Sequence, residues 1–223
     1  MGRVEQHLGG SDADAVVRSL ADELLAALDA SSGRFLLGIT GPPGAGKSTL
    51  AGALAAAVGE RCGAGVVVVA PLDGFHLSNE TLDRLGLRSV KGAPRTFDAA
   101  AFAGSLRRLR EEPPSTLLWP DFDRVAEATV PDAIPICPES RLVITEGNYL
   151  LLDQPWWREV RGLLDQVWYV DAPRDVLRRR LIERQIAGGR REEDAVRHVD
   201  ESDLPNAELV ARTRALADRV IRP

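Results

Sequence analysis

The sequence predicts a three-layer α/β/α domain built around a parallel β-sheet. Short apolar runs alternate along the chain with longer segments of helical periodicity, which is the pattern of a parallel sheet covered by helices on both faces. Four of these runs are apolar through most of their length, as strands buried on both faces are. The length of 223 residues, with 44% hydrophobic and 27% charged residues, suits one globular domain. We therefore expect residues 1–223 to form a single domain.

The first part of the chain predicts a helix followed by two strands. Valines and leucines recur at helical spacing over residues 11–30, and Ser11 or Asp12 can cap the start of that helix. Residues 35–40 form an apolar run of strand length, and an alanine- and leucine-rich helix follows it. Residues 66–70 contain four consecutive valines, which favours a second buried strand.

The remaining elements are predicted from shorter signals. Asp98 can cap a helix over residues 99–110, residues 116–119 resemble a strand, and residues 125–137 contain two prolines that indicate an irregular hairpin or insertion. The pattern then predicts, in order, buried strands over 141–147 and 166–171, an arginine-rich helix from Pro173 through Arg191, a helix over 206–216 and a last short strand over 217–221.

The stretch from Gly41 to Ser48, GPPGAGKS, matches G-x-x-x-x-G-K-[ST] at every fixed position. It lies between a predicted strand and a predicted helix, where glycines let backbone N–H groups surround phosphate oxygens and the helix N-terminus adds positive partial charge. Lys47 would reach the β- and γ-phosphates of a nucleotide, and the Ser48 hydroxyl would hold Mg²⁺. The residues expected to bind the nucleotide, including one arginine considered below, are Gly41, Gly44, Ala45, Gly46, Lys47, Ser48, Thr49 and Arg180.

Two side chains follow the second strand, near the edge of the sheet where ligands bind. Asp73 is a candidate general base that would accept the proton of a substrate hydroxyl during phosphoryl transfer. The alternative is an aspartate that only begins a turn before Gly74. His76 would either contact the substrate or cap a loop, and the sequence leaves both open.

Glu146 ends the third strand of the apolar pattern and is a candidate for the Mg²⁺ shell together with Ser48. The sequence leaves open whether it binds the ion directly or through water, and whether it is only a carboxylate that caps a turn.

Trp119 is a candidate for lining a substrate pocket, whereas His198 is expected in a solvated loop beside acidic residues.

Arginines are concentrated in the segment 178–191, which we call the lid segment. On a helix Arg180 and Arg184 lie four residues apart and share a face, so their guanidinium groups could close on the phosphates. Gly188 and Gly189 supply a flexible break beyond them. The alternative is a solvated helix face whose charge is balanced by neighbouring glutamates.

Several motifs together resemble the uridine kinase, pantothenate kinase and phosphoribulokinase group of P-loop kinases, in particular bacterial nucleoside/nucleotide kinase-like and fructose-transport-system kinases. The segments that carry this resemblance lie at 38–51, 71–77, 91–98, 120–124, 144–153, 170–184 and 206–221. The resemblance implies a five-stranded parallel sheet in the order 2-3-1-4-5, with Asp73 as the catalytic base. It also implies a lid arginine that contacts ATP, which Arg184 matches best and for which Arg179 and Arg180 are the alternatives.

The function implied is an ATP- and Mg²⁺-dependent kinase that phosphorylates a hydroxyl of a small metabolite, a sugar or a nucleoside. Lys47, Asp73 and Arg184 would be catalytic, and Asp73, His76 and Arg124 would bind the acceptor. Gly74-Phe75-His76 stands where uridine kinases carry tyrosines after the aspartate. Arg95 stands near a position where related sequences carry an acid. These two differences leave the identity of the phosphate acceptor open. The alternatives are a pantothenate kinase-like activity, or a nucleotide-hydrolysing switch or sensor with no small acceptor.

The composition of the chain limits the kinds of partner that we expect it to bind. The net charge is −5, from 28 Lys and Arg against 33 Asp and Glu, which is unlike a nucleic-acid-binding protein. Two isolated cysteines predict neither a metal site nor a disulfide. No apolar stretch is long enough for a membrane span and the start lacks a signal core, so we expect a cytoplasmic protein that binds no membrane, with a homodimer left open.

Overall fold

The protein is described by a computed structural model that covers residues 5–7, 13–111 and 115–222. Its helices are α1 (Ala13–Ala30), α2 (Lys47–Cys62), α3 (Asn79–Arg84), α4 (Ala99–Glu111), α5 (Trp157–Leu163), α6 (Arg174–Ala187), α7 (Glu192–His198) and α8 (Leu204–Ala211). Its strands are β1 (Glu5–His7), β2 (Phe35–Thr40), β3 (Val67–Pro71), β4 (Leu117–Asp123), β5 (Ala128–Ile136), β6 (Leu142–Glu146), β7 (Gln166–Val170) and β8 (Arg219–Arg222).

The main sheet is parallel and has the strand order β1-β8-β7-β2-β6-β3. When β2, β3, β6, β7 and β8 are numbered among themselves, they lie in the order 2-3-1-4-5. The expected five-stranded parallel sheet is therefore present, and β1 pairs with β8 as a sixth strand at its edge. Three residues are too few to show the period-2 pattern by which a strand is predicted.

The core consists of two clusters, one on each face of the sheet. Neighbouring residues of β2 point to opposite faces, so Leu36 packs in the cluster that contains residues of α4 and α5, while Leu37 and Ile39 pack with α1 and α2. At Gly38 a Cβ atom would approach Leu164 Cδ1 to 2.8 Å, so the strand is closely packed at this position. Because helices cover both faces of the sheet, the three-layer α/β/α fold is confirmed.

The predicted hairpin over 125–137 is more regular than expected, because β4 and β5 form a two-stranded antiparallel sheet of their own. The register shifts between Trp119 and Asp121, on either side of a proline that cannot donate a ladder hydrogen bond. This hairpin lies against the 3₁₀ turn that follows β3, which sets its position relative to the main sheet.

Two predicted boundaries differ in the structure, and one prediction falls outside the described residues. The arginine-rich helix α6 ends at Ala187 rather than Arg191, because Gly188 and Gly189 follow it and Gly189 adopts a φ of 92°. The helix expected over 206–216 is α8 followed by a separate 3₁₀ turn at Arg214–Leu216. The proposed N-cap residues of the first helix, Ser11 and Asp12, lie outside the described residues.

Among the helices of the described ranges, none combines the length and the apolar character that a membrane crossing requires.

Candidate active site

The turn between β2 and α2 is the glycine-rich motif found in the sequence. Gly41 has a φ of 146°, and a Cβ there would overlap the backbone carbonyl of Val170, so this position requires glycine. Gly46 has a φ of 98° and precedes α2, which begins at Lys47. The unpaired N–H groups of the first turn of α2 therefore lie beside the glycine-rich loop.

A cavity of about 940 Å³ opens beside this loop, at the carboxyl ends of the central strands. The predicted site residues that line it are Gly44, Ala45, Gly46, Lys47, Ser48, Thr49, Asp73, His76, Arg124, Glu146, Arg180 and Arg184. Gly41 is not among the lining residues, because it is buried against β7 behind the loop.

Sheet register explains why residues far apart in sequence meet at this cavity. Ile39 pairs with Glu146 across β2 and β6, and Pro71 pairs with Glu146 across β3 and β6. The three strands therefore end in one row, and the segments that follow them emerge side by side.

Lys47 is buried at the floor of the cavity with 7% of its surface exposed. Its Nζ donates a hydrogen bond to the Pro42 carbonyl at 3.0 Å. Burial lowers the pKa of Lys47 to about 8, and the negative charges of Glu146 and Asp73 offset part of that effect. A phosphate group in the cavity would add further negative charge beside this ammonium group.

Ser48 and Glu146 form an oxygen pair next to Lys47. The Ser48 hydroxyl donates a hydrogen bond to Glu146 Oε1 at 2.8 Å, and Glu146 is 8% exposed. Burial raises the pKa of the Glu146 carboxyl, and the neighbouring Lys47 opposes that shift. A hydroxyl and a carboxylate are the hard oxygen ligands that Mg²⁺ prefers, so the donor set fits this ion.

Asp73 lies in a 3₁₀ turn, Leu72–Phe75, directly after β3. Its Oδ2 accepts a hydrogen bond from Arg124 Nη2 at 2.8 Å, and Arg124 follows the last residue of β4. The carboxylate therefore connects the main sheet to the hairpin, and one third of its side chain remains exposed.

His76 packs in an aromatic cluster on the same side of the cavity. Its ring stacks on Phe97 with centroids 3.9 Å apart and lies 5.0 Å from Phe122. Its Nδ1 is buried and has no hydrogen-bond partner among the residues that the structure describes, and burial lowers the pKa of the imidazole. A ring in these surroundings is neutral near pH 7.

Of the arginines in the lid segment, those that line the cavity in the described chain are Arg180 and Arg184. Arg180 Nη1 donates to the Gly44 carbonyl at 3.4 Å, and the charge of Arg184 contributes to lowering the pKa of Lys47. Arg178 instead pairs with Asp200 at 2.8 Å on the surface. The solvated-face interpretation therefore holds for Arg178, whereas Arg180 and Arg184 face the cavity.

Further lining residues were not predicted from the sequence. Those with polar or aromatic side chains include Lys91, Phe122, Asn148, Gln185, His198, Asp203 and Asn206. Gln185 lies on α6 and Phe122 on β4, and the others lie in loops or after α6, where periodicity carries little signal. The expectation of a solvated loop at His198 is wrong, because this residue ends α7 and lines the cavity. Asp203 and Asn206 carried no periodic signal, because Asp203 ends a π-helical turn and Asn206 lies in the first turn of α8.

Two other expectations are corrected. Trp119 does not line the cavity: it is fully buried, packs against Phe75 and Phe102, and donates from Nε1 to the Pro71 carbonyl at 2.9 Å. Arg95 lines a separate cavity of about 340 Å³ rather than the one beside the glycine-rich loop.

Comparison with known proteins identifies relatives over most of the chain. A uridine kinase-like protein from Schizosaccharomyces pombe is 37% identical, and the match covers 85% of this chain and 83% of that protein. The Escherichia coli protein YggC is also 37% identical, over 84% of this chain and 77% of its own length. A family model described as the methylmalonyl Co-A mutase-associated GTPase MeaB matches residues 11–97.

Solved structures show the same fold. A Silicibacter sp. TM1040 protein assigned as a fructose transport system kinase superposes with a TM-score of 0.84 at 36% identity, covering 93% of this chain and 98% of its own. The Saccharomyces cerevisiae protein YFH7, described as a P-loop kinase, superposes with a TM-score of 0.82 at 18% identity, covering 93% and 98% of the two chains.

Proposed function

Because the chain belongs to the uridine kinase, pantothenate kinase and phosphoribulokinase group of P-loop kinases, we propose that it transfers the γ-phosphate of ATP to a hydroxyl group of a small metabolite. Membership in this group makes the chain a nucleotide-binding phosphotransferase. The proposed transfer to a hydroxyl group rests on one observation, which is that a single cavity is lined both by the glycine-rich loop and by Asp73.

The nucleotide half of the proposed site consists of the loop and the start of α2. Residues from Gly44 to Thr49 would surround the β- and γ-phosphates, and Lys47 would neutralise their charge from below. Ser48 and Glu146 would hold Mg²⁺, which neutralises charge on the phosphate oxygens when bound.

Asp73 would act as the general base. It lies at the end of the strand next to the one that carries Glu146, so its carboxylate faces the same cavity as the phosphate loop. A hydroxyl group bound there would give its proton to Asp73 while its oxygen attacks the γ-phosphorus. Arg124 would orient the Asp73 carboxylate through their 2.8 Å contact.

Arg184 would stabilise the transferring phosphoryl group. It lies on α6 and lines the same cavity as Asp73, and its charge reaches Lys47. A guanidinium group there would lie near the charge that builds up on the equatorial oxygens. Arg180 would hold the lid against the loop through the Gly44 carbonyl.

A second candidate is a nucleotide hydrolase that needs no small acceptor. The match of the GTPase family model to residues 11–97 favours it, since that segment contains both the loop and Asp73. Such a protein would release phosphate at the same rate whether or not a hydroxyl compound is present.

An ADP-release screen separates the two candidates. We expect at least one hexose, pentose, nucleoside or pantothenate-like alcohol to raise the rate of ADP formation from ATP and Mg²⁺ well above the basal rate. The Asp73→Asn variant, measured in parallel, should lose that stimulation. A basal rate that no hydroxyl compound stimulates, with GTP consumed as fast as ATP, would favour the hydrolase instead.

The low pKa of Lys47 predicts a pH dependence of nucleotide affinity. Because the triphosphate binds the charged ammonium group, affinity should stay constant below pH 8 and fall as the free protein loses this proton above about 8. We expect a decrease of about tenfold between pH 7 and pH 9, measured by calorimetry with ATP and EDTA. In Lys47→Arg the guanidinium group stays charged, so any remaining affinity should be flat over this range. A flat profile for the unmodified protein would contradict the proposed role of Lys47.

A further inference from the structure

We propose that Tyr149 is a positioning residue for the phosphate acceptor, because its hydroxyl group holds residues 91–97 in place beside Asp73. We call residues 91–97 the acceptor loop. The inference rests on the proposed kinase function and adds to it a residue that does not line the cavity but acts through residues that do. The acceptor-loop residues that line the cavity are Lys91, Gly92 and Phe97.

The acceptor loop is attached to the segment that follows β3, which carries Asp73. The Leu77 N–H donates a hydrogen bond to the Thr96 carbonyl at 2.9 Å. Beside this contact, His76 and Phe97 form an isolated antiparallel β-bridge, and their rings stack. The loop therefore lies at the end of the cavity that contains Asp73, where the proposed mechanism requires the acceptor hydroxyl to bind.

Hydrogen bonds within the acceptor loop give it a defined shape. The Thr96 side chain is fully buried, and its Oγ1 accepts a hydrogen bond from the Gly92 N–H at 3.0 Å and donates one to the Ala93 carbonyl at 2.7 Å. Gly92 adopts a φ of 100°, which glycine allows at little steric cost. The loop is therefore closed on itself, and its distance from the main sheet depends on its contacts with the rest of the protein.

Tyr149 makes such a contact from the core. Its hydroxyl group donates a hydrogen bond to the carbonyl of Gly92, one of the residues that line the cavity. The Tyr149 side chain is fully buried, and its ring packs edge-on against Phe97 and Trp157, with centroid distances of 5.7 and 5.5 Å. Burial raises the pKa of the Tyr149 phenol, so the group remains a hydrogen-bond donor well above neutral pH.

The position of Tyr149 is fixed by β2, the strand that precedes the glycine-rich loop. Thr40 Oγ1 donates a hydrogen bond to the Asn148 carbonyl at 3.1 Å. The Gly147 N–H donates to the Ile39 carbonyl at 3.0 Å. The phenol therefore extends from the end of the main sheet to the acceptor loop, and it sets the distance between them.

The side chains proposed to bind the nucleotide have supports of their own. Lys47 Nζ donates to the Pro42 carbonyl at 3.0 Å, and the Ser48 hydroxyl donates to Glu146 at 2.8 Å. Neither of these hydrogen bonds involves the acceptor loop. Loss of the Tyr149 hydroxyl should therefore weaken acceptor binding alone, whereas a general loss of stability would affect the acceptor and ATP together.

The Tyr149→Phe variant removes the hydroxyl group and keeps the ring. We expect the KM for the best acceptor from the ADP-release screen to rise about fivefold to tenfold, with kcat changed by less than about twofold and the KM for ATP unchanged. Tyr169→Phe is the matched control, because it makes the same substitution at a buried tyrosine on β7, and it should change none of these values. An unchanged acceptor KM in Tyr149→Phe, or equal losses for the acceptor and ATP, would overturn the inference and leave the kinase function standing.

Hydrogen exchange followed by mass spectrometry tests the contact without an acceptor. In Tyr149→Phe the amides of the acceptor loop should exchange about fivefold faster, while those of the glycine-rich loop and α2 exchange as in the unmodified protein. Tyr169→Phe should leave exchange in the acceptor loop unchanged. Unchanged exchange there in Tyr149→Phe would also overturn the inference. If no hydroxyl compound raised ADP formation by the unmodified protein, the proposed function would fall, and the acceptor role of Tyr149 with it.

Discussion

Replacing Asp73 with asparagine should lower the turnover number by about 10²-fold or more and leave ATP affinity near normal. The amide is isosteric with the carboxylate but does not take up a proton at neutral pH, so the acceptor hydroxyl would lose its base. ATP affinity should persist because the phosphate loop and Lys47 do not depend on Asp73 for their positions: Lys47 Nζ is bonded to the Pro42 carbonyl. The measurement is steady-state kinetics with the best acceptor from the screen, together with calorimetry for ATP.

Two controls separate the loss of the base from the loss of an ion pair. Asp83→Asn removes a surface carboxylate that pairs with Arg88 at 3.3 Å, away from the cavity, and should keep full turnover. Arg124→Gln keeps the carboxylate but removes its partner, so we expect a smaller loss than in Asp73→Asn. Turnover at the unmodified level in Asp73→Asn would exclude Asp73 as the base.

The central part of the fold could be predicted because its signals are local. The strand Phe35–Thr40 has the predicted bounds, since every residue of it is buried and therefore apolar or small. The glycine-rich loop has a fixed spacing that encodes its backbone directly, and the polar residues just after neighbouring strands meet because parallel strands end at one edge of the sheet. Asp73 and Glu146 were found in this way.

The remaining lining of the cavity could not be predicted in the same way, because its contacts join segments distant in sequence. Lys91 is held by the carbonyl of Glu127 at the hairpin tip, 36 residues away, and nothing in the local sequence of either indicates that contact. Asp203 lies in a π-helical turn between α7 and α8, where neither helical nor strand periodicity applies. These partners of the charged side chains therefore came only from the structure.

The hairpin that carries Arg124 is positioned by one close backbone approach, at Gly74. A Cβ at this residue would overlap the Pro120 carbonyl group, with the carbonyl carbon only 2.5 Å away, and would lie 3.1 Å from the Asp121 nitrogen. The neighbouring Trp119 is fixed in the core by its bond to the Pro71 carbonyl, so β4 has little freedom to move away. Glycine is therefore required at residue 74 by contact rather than by φ.

Gly74→Ala should consequently lower the free energy of unfolding by about 1–3 kcal/mol and lower turnover by about tenfold or more, because the displaced hairpin would separate Arg124 from Asp73. Urea denaturation followed by fluorescence measures the first effect, and steady-state kinetics measures the second. Gly104→Ala is the matched control: it lies inside α4 with no atom within 4 Å of the added Cβ, so it should stabilise the protein by up to about 1 kcal/mol and keep full turnover. If Gly74→Ala unfolded at the same urea concentration as the unmodified protein and kept its turnover, the contact with Pro120 would not be what holds the hairpin over Asp73.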